Sequence, residues 1–262
     1  MSKKKLFVVS DIHSFYEPLI SALDKAGFDK DNKNHYLIVC GDAFDRGPDS
    51  TKVLHFLMGL ERKILVKGNH DILFESCCNR GWFMSHDIDN GTKSTIEDLG
   101  EACQKRSFDQ YCVTAWNKTA AYRDILVNYF ETENYIFVHS WIPVEVIEDT
   151  VASVKYYKKV VKEYKYLDNW RQASDSEWEE AMWGNPFEKA ALGLNKTGKT
   201  IVFGHWHCSA GWARDEDHSE FGPDAEWNPY YGKDIIGIDR CTAHTHEVNV
   251  LVLEDNFLEA TK

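Results

Sequence analysis

His35-Tyr36-Leu37-Ile38-Val39-Cys40 runs straight into Gly41-Asp42-Ala43-Phe44-Asp45-Arg46-Gly47, and this stretch decides the fold. The first six residues are a short apolar, β-branched run of the length of one buried strand. It stops at a glycine, and two carboxylates and a guanidinium follow within five residues. Four other places repeat the pattern. Asp11-Ile12-His13 follows Leu6-Phe7-Val8-Val9-Ser10, and Gly68-Asn69-His70-Asp71 follows Lys63-Ile64-Leu65-Val66-Lys67. His139 follows Tyr135-Ile136-Phe137-Val138, and Gly204-His205-Trp206-His207 follows Thr200-Ile201-Val202-Phe203.

Working outward, residues 15–26 and 49–60 carry helical spacing, with Leu19, Ile20 and Leu23 in one and Val53, Leu54 and Leu57 in the other. Pro48-Asp49-Ser50 supplies a start signal for the second. The order β-α-β-α-β favours parallel strands joined by right-handed crossovers. Ligands in such sheets bind beyond the carboxyl ends of the strands, where every one of these motifs lies. Residues 71–133 break the alternation and read as a helical insertion beside the site, with helices over 94–106 and 109–130 and a break at 87–92. Residues 151–192 read as a second helical stretch. In the tail, 235–239 and 247–253 read as two antiparallel strands of one hairpin around 242–245.

The bulk numbers suit a single soluble α/β domain over 1–262. Hydrophobic residues make up 43% and charged residues 27%, ordinary for a globular protein. A formal charge of −12 argues against duplex nucleic acid as a partner, because phosphate backbones select basic surfaces. Seven cysteines form an odd set without framework spacing. With no leader or membrane span read from the sequence, reduced thiols in a cytoplasmic protein are expected. The vicinal Cys77-Cys78 pair reads as two helix residues rather than a redox switch.

Asp, Asn and His together offer a mixed oxygen and nitrogen donor set for borderline first-row cations, Mn²⁺ first, with Fe or Zn²⁺ as alternatives. Asp-X-His puts Asp11 and His13 on one side of an extended strand end. Asp42 can bridge two ions, and Asn69, His139 and His205 complete a second ion. Two such ions hold a bridging hydroxide as nucleophile and balance charge across an in-line phosphoryl displacement. His70, beside Asn69, is placed to protonate a leaving oxygen. Asp45 orients that imidazole, and Arg46 presents a planar fork to phosphate oxygens.

Asp-X-His, Gly-Asp-X-X-Asp-Arg-Gly, Gly-Asn-His-Asp, Val-His and Gly-His, in this order, resemble the calcineurin-like metallophosphoesterases. More narrowly they are similar to the bacterial and phage serine/threonine protein phosphatases. Weaker echoes are Asp89-Asn90-Gly91 with Thr95, Met182-Trp183 and Ile238-Asp239. The resemblance implies a two-sheet αββα sandwich and two metals. It assigns Asp11 and His13 to one ion, Asp42 to both, and Asn69, His139 and His205 to the other. The implied activity is phosphomonoester hydrolysis of phosphorylated protein or small phosphoester substrates.

Two departures qualify the match. After Trp183 the chain reads Gly184-Asn185-Pro186, where phage-type members carry a second phosphate-clamping arginine; Arg240 and Arg171 are candidate replacements. Gly204-His205-Trp206-His207 adds a histidine that protein phosphatases of this type generally lack, making His207 a candidate extra ligand. Gly204-His205-Trp206 also resembles the bacterial diadenosine tetraphosphatases, and His207 admits a phosphodiesterase. A metal-bound scaffold without activity is the non-enzyme alternative. The cluster Trp170, Trp178 and Trp183 reads as helix packing in preference to a base-stacking platform.

Overall fold

The computed structural model describes residues 4–101, 107–154, 157–215 and 218–256. In chain order the first half carries β1 (Lys4–Val9), α1 (Tyr16–Ala26), β2 (His35–Cys40), α2 (Ser50–Gly59) and β3 (Lys63–Val66). Helices α3 (Asn69–Arg80), α4 (Ser85–Asp89), α5 (Thr92–Leu99), α6 (Phe108–Lys118) and α7 (Ala120–Arg123) follow. Then come β4 (Phe130–Glu131), β5 (Tyr135–Phe137), β6 (Val144–Val154) and β7 (Tyr157–Tyr166). The last part holds α8 (Asp175–Met182), α9 (Pro186–Ala191), β8 (Thr200–His207), α10 (Cys208–Asp215), β9 (Tyr230–Gly232), β10 (Ile235–Asp239), α11 (Thr242–Thr245) and β11 (Leu251–Asp255).

Two sheets organise these elements. One has the order β11-β1-β2-β3, with β1, β2 and β3 parallel and β11 antiparallel at the edge. The other has the order β4-β5-β8-β10-β9, with a parallel centre and antiparallel edges. Side chains alternate in direction along each strand, and the core splits accordingly. Leu6, Val8, Ile38 and Cys40 face Phe137, Val202, Ile236 and Ile238 in an apolar layer between the sheets. Their neighbours Phe7, Val9, Leu37 and Val39 point the other way, onto α1, α2, α3, α5 and α6. On the far side Ile136, Val138, Ile201 and Phe203 pack against Trp170, Trp178 and Phe187. Each fully buried Leu, Ile or Val contributes about 1.5–3 kcal/mol. The result is the mixed α/β sandwich, with helices on both outer faces, that the sequence led us to expect.

Three local expectations fail. Strands β6 and β7 pair antiparallel from Val144↔Tyr166 onward, so the helical reading of 151–192 holds only from α8. The local sequence, Val151-Ala152-Ser153-Val154 and Val160-Val161 among tyrosines, is rich in the β-branched and aromatic residues that strands prefer. The tail strands do not pair with each other. β10 lies parallel to β8 in the second sheet, whereas β11 crosses to the first and pairs antiparallel with β1; the chain between them is too long for a tight turn and includes α11. The expected helix over 109–130 divides into α6 and α7 and gives way to strand at Phe130. Residues 102–106 of the other expected helix lie outside the described residues, as does Cys103. The remaining six cysteines are free thiols, and Cys77 and Cys78 sit in α3. Among the described residues no helix is long and apolar enough to cross a membrane.

Candidate metal centre

The carboxyl ends of β1, β2, β3 and β8, with the residues just after β5, converge on one point. Asp42 is 2% exposed and lies at its middle. Around its Oδ2, His139 Nε2 stands at 3.5 Å, His70 Nε2 at 3.8 Å and His13 Nε2 at 4.0 Å. Two triads of donor atoms fall within 4.8 Å of one another, His13-Asp42-His70 and Asp42-His139-His205, sharing Asp42. Asp11 joins through Oδ1, 3.8 Å from His13 Nε2, while its Oδ2 accepts from the His205 backbone N–H at 2.9 Å. The structure thus brings together Asp11, His13, Asp42, Asn69, His70, His139 and His205.

The backbone is bent sharply to present them. Asp11, His13, Asp42, Asp45, Arg46 and His205 all have positive φ, between 47° and 74°. Non-glycine residues adopt this region at a cost, and runs of such residues mark functional sites. Close approach matters as much at two glycines. A Cβ on Gly68 would stand 2.1 Å from Asp42 Oδ1, and one on Gly204 would stand 2.2 Å from Asp11 Oδ2. Neither turn has room for a side chain.

The imidazoles are set for ligation. His13 Nδ1 donates to the Phe44 carbonyl at 2.9 Å and His139 Nδ1 to the Cys40 carbonyl at 3.0 Å. A ring nitrogen that donates to a carbonyl leaves the other nitrogen as a lone pair. For His139 that lone pair meets Asn69 Oδ1 at 2.7 Å, and His205 Nδ1 meets the same oxygen at 3.1 Å. Acceptors facing acceptors at such distances suit a cation held among them. Burial keeps His13 neutral, aided by the nearby Arg46 and His70 charges, and lowers the His205 pKa to about 3, aided by His139. Burial pushes the Asp42 carboxyl up, but the neighbouring imidazoles, His139 and His70 foremost, outweigh it and lower its pKa. Burial also raises Asp11, which His139 partly opposes. Buried carboxylate oxygens and imidazole nitrogens in this arrangement fit two divalent cations.

Beside the donors lies a proton-handling pair. His70 Nδ1 is 2.8 Å from Asp45 Oδ2, and that oxygen also accepts from Thr92 Oγ1 at 2.6 Å. Burial lowers the His70 pKa, yet the Asp42 charge and the bond to Asp45 outweigh it and raise the pKa above the usual value. Arg46 Nη2 is 3.3 Å from His70 Nε2. The N-terminus of α5 braces this pair, with Thr95 Oγ1 accepting from the Asp45 backbone N–H at 3.0 Å. The weak Asn90-Gly91 and Thr95 echo therefore marks a support for Asp45.

Three sequence candidates have partners outside the donor set. His207 bonds to Ser209 Oγ at 2.9 Å and lies 3.3 Å from Glu220, with its ring against Phe221 and Trp227. Arg240 is engaged by Glu247 at 2.8 Å, Asn228 and Asn249, and Arg171 by Glu131 at 2.7 and 2.9 Å. Sequence reasoning gave no role to Asp239, whose buried carboxyl is raised by burial and by the neighbouring Asp11 charge. Its signal was present, since it too ends an apolar strand. Asp71 was also unassigned; its Oδ2 caps α3 at Gly68 N and its Oδ1 accepts from Tyr122.

The sequence profile of the calcineurin-like phosphoesterases matches residues 4–248. Over 67 residues the chain is 43% identical to a symmetrical bis(5'-nucleosyl)-tetraphosphatase from Buchnera aphidicola subsp. Acyrthosiphon pisum, covering 25% of this chain and 24% of that protein. A protein of the same name from Aeromonas hydrophila is 46% identical over 65 residues, 24% of this chain and 23% of that one. The chain thus spans about a quarter of the length of the curated relatives it matches. Among solved structures, a cold-active protein tyrosine phosphatase superposes over 95% of this chain and 73% of its own, with a TM-score of 0.50 and 14% identity. With a family profile matching nearly the whole chain and a buried two-triad donor cluster at its strand ends, this protein belongs to the calcineurin-like phosphoesterases.

Proposed function

We propose that the chain is a metal-dependent phosphomonoesterase that acts on phosphoseryl, phosphothreonyl or phosphotyrosyl groups and on small aryl phosphates. The observation that carries this reading is the His70–Asp45 pair beside Asp42. A general acid contributes most where the leaving oxygen is strongly basic, as with an alcohol, and its raised pKa keeps it protonated near neutral pH. Asp11, His13, Asp42, Asn69, His139 and His205 would hold two divalent ions, Mn²⁺ foremost. Such ions polarise a phosphoryl oxygen and lower the pKa of bound water. Arg46 draws the phosphate oxygens toward this cluster. Once its guanidinium turns to the phosphate, His70 Nε2 is free to carry the proton that it gives to the leaving oxygen, while Asp45 fixes the ring through Nδ1.

The matched segment of the nucleosyl-tetraphosphatases favours a second reading, in which a phosphoric anhydride of two nucleotides is cleaved. A substrate panel with Mn²⁺ separates the two: phosphopeptides, p-nitrophenyl phosphate, diadenosine tetraphosphate and a bis-aryl phosphodiester. Asp42→Asn should lower p-nitrophenyl phosphate turnover, and His70→Asn phosphoseryl-peptide turnover, by about two orders of magnitude each. Asp42→Asn should also release metal, whereas His70→Asn should retain it. Loss of metal from His70→Asn would make His70 a ligand and remove the acid assignment.

A further inference from the structure

The helical insertion after β3 reaches the proton-handling pair at a second place, through Tyr122 of α7. Tyr122 is 3% exposed and touches both loops that carry the pair. Its hydroxyl donates to Asp71 Oδ1 at 3.1 Å, one residue after His70. Its ring meets Phe44, one residue before Asp45, edge-on with 5.0 Å between centroids.

Each contact continues into the site. Asp71 Oδ2 accepts from the Gly68 N–H at 2.8 Å, closing the first turn of α3 around Asn69 and His70. The first N–H groups of a helix have no partner inside it, so this cap fixes where the turn begins. On the other side, the Phe44 carbonyl accepts from His13 Nδ1 at 2.9 Å. One buried side chain therefore spans the Asp45 loop and the His70 turn. The helix that carries it is itself tied down. Thr119 Oγ1 donates to the Ala115 carbonyl at 2.9 Å, and Arg123 Nη2 to the Trp116 carbonyl at 2.9 Å. Burial and the Asp71 charge push the Tyr122 phenol up, so its O–H stays a donor.

We infer that Tyr122 is a positioning residue: it sets the spacing between Asp45 and His70 and so places His70 Nε2 for proton donation. The inference rests on the acid role proposed for His70. In the metal-loaded protein Asn69 would be held by its ion as well, whereas His70 relies on its backbone and on Asp45. Tyr122→Phe gives the test, because it keeps the ring against Phe44 and removes only the bond to Asp71. A misplacement of about 1 Å costs up to about 100-fold, and for an acid that cost is felt where the leaving oxygen is strongly basic.

With Mn²⁺-loaded Tyr122→Phe, kcat for a phosphoseryl peptide should fall about tenfold. The kcat for p-nitrophenyl phosphate, whose leaving group needs little protonation, should stay within about twofold, with metal content unchanged. In a His70→Asn background the same substitution should have no further effect, because residues that act through one another are not additive. An equal fall on both substrates, or one that persists beside His70→Asn, would make Tyr122 a packing residue and overturn the inference, as would wild-type kinetics. The hydrogen-bonded Nδ1 proton of His70 gives a reading that needs no turnover. In protein loaded with diamagnetic Zn²⁺, its NMR resonance, assigned by its loss in His70→Asn, should move or broaden in Tyr122→Phe. An unchanged resonance would overturn the positioning role. If His70→Asn leaves phosphoseryl-peptide turnover intact, the acid reading fails, and this resonance alone decides whether Tyr122 places the ring.

Discussion

Replacing Gly204 with alanine tests the close packing at the centre most directly. The new methyl would stand 2.2 Å from Asp11 Oδ2 and 2.4 Å from Ser10 Oγ, where an ordinary contact needs more than about 3.4 Å. Asp11 must retreat by more than about 1 Å, and its bond from the His205 N–H, 2.9 Å long, cannot survive that move. Overpacking costs about 1–3 kcal/mol, and a lost hydrogen bond to a carboxylate about 1.5–3 kcal/mol. The sum of about 2.5–6 kcal/mol lowers Tm by at least about 5 °C for a domain of this size. Because Asp11 is displaced from His13, retention of divalent metal should weaken as well. Calorimetry and metal analysis after gel filtration read both effects. Gly59→Ala is the control: it ends α2, and a Cβ there meets nothing within 4 Å, so it should be neutral or gain up to about 1 kcal/mol from helix propensity. If Gly204→Ala matched wild type in both Tm and metal content, close approach would not be the reason for glycine at this turn.

Three further outcomes are expected. In the proposed acid role His70 acts protonated, so the rate should fall as pH rises through its raised pKa; Asp45→Asn removes one support of that pKa, so the fall should begin at lower pH in a pH–kcat profile. Asp71 has its pKa raised from 3.8 to about 7, chiefly by burial. The folded state therefore loses stability, by about 1.4 kcal/mol per pH unit, as pH climbs from about 4 to about 7. Metal-free Asp71→Asn should escape this loss, so its advantage in urea denaturation should grow over that window and then level off; a constant difference would refute the burial argument. His207→Ala should leave metal content unchanged, since its partners are Ser209 and Glu220, and a loss of bound metal would restore it as a ligand.

The first sheet was legible because its signals are local. β1, α1, β2, α2 and β3 each announce themselves by period and are followed in order, so Asp11, Asp42 and Asn69 could be placed at strand ends before any coordinates. The β6–β7 pair was missed because its lysines and glutamates suit a helix as well as a strand and masked the β-branched signal of its valines, which the pairing of Val144 with Tyr166 bears out. The tail failed for a different reason. Leu251 pairs with Val8 some 240 residues away, and no local period encodes which edge a strand will join. At the centre, donor identity was readable but support was not: Thr92 and Tyr122 hold Asp45 and Asp71 from helices whose register with the sheet is a tertiary property.

The left-handed turns at Asp11 and Asp42 have a consequence for what substitutions can mean here. Aspartate and asparagine are among the few residues with side chains that accept that backbone region readily, whereas a glutamate would bring the same charge on a frame the turn resists. At these two positions chemistry and conformation select the same residue. A loss of function in Asp42→Glu would therefore mix two causes, whereas Asp42→Asn keeps the turn and removes only the charge.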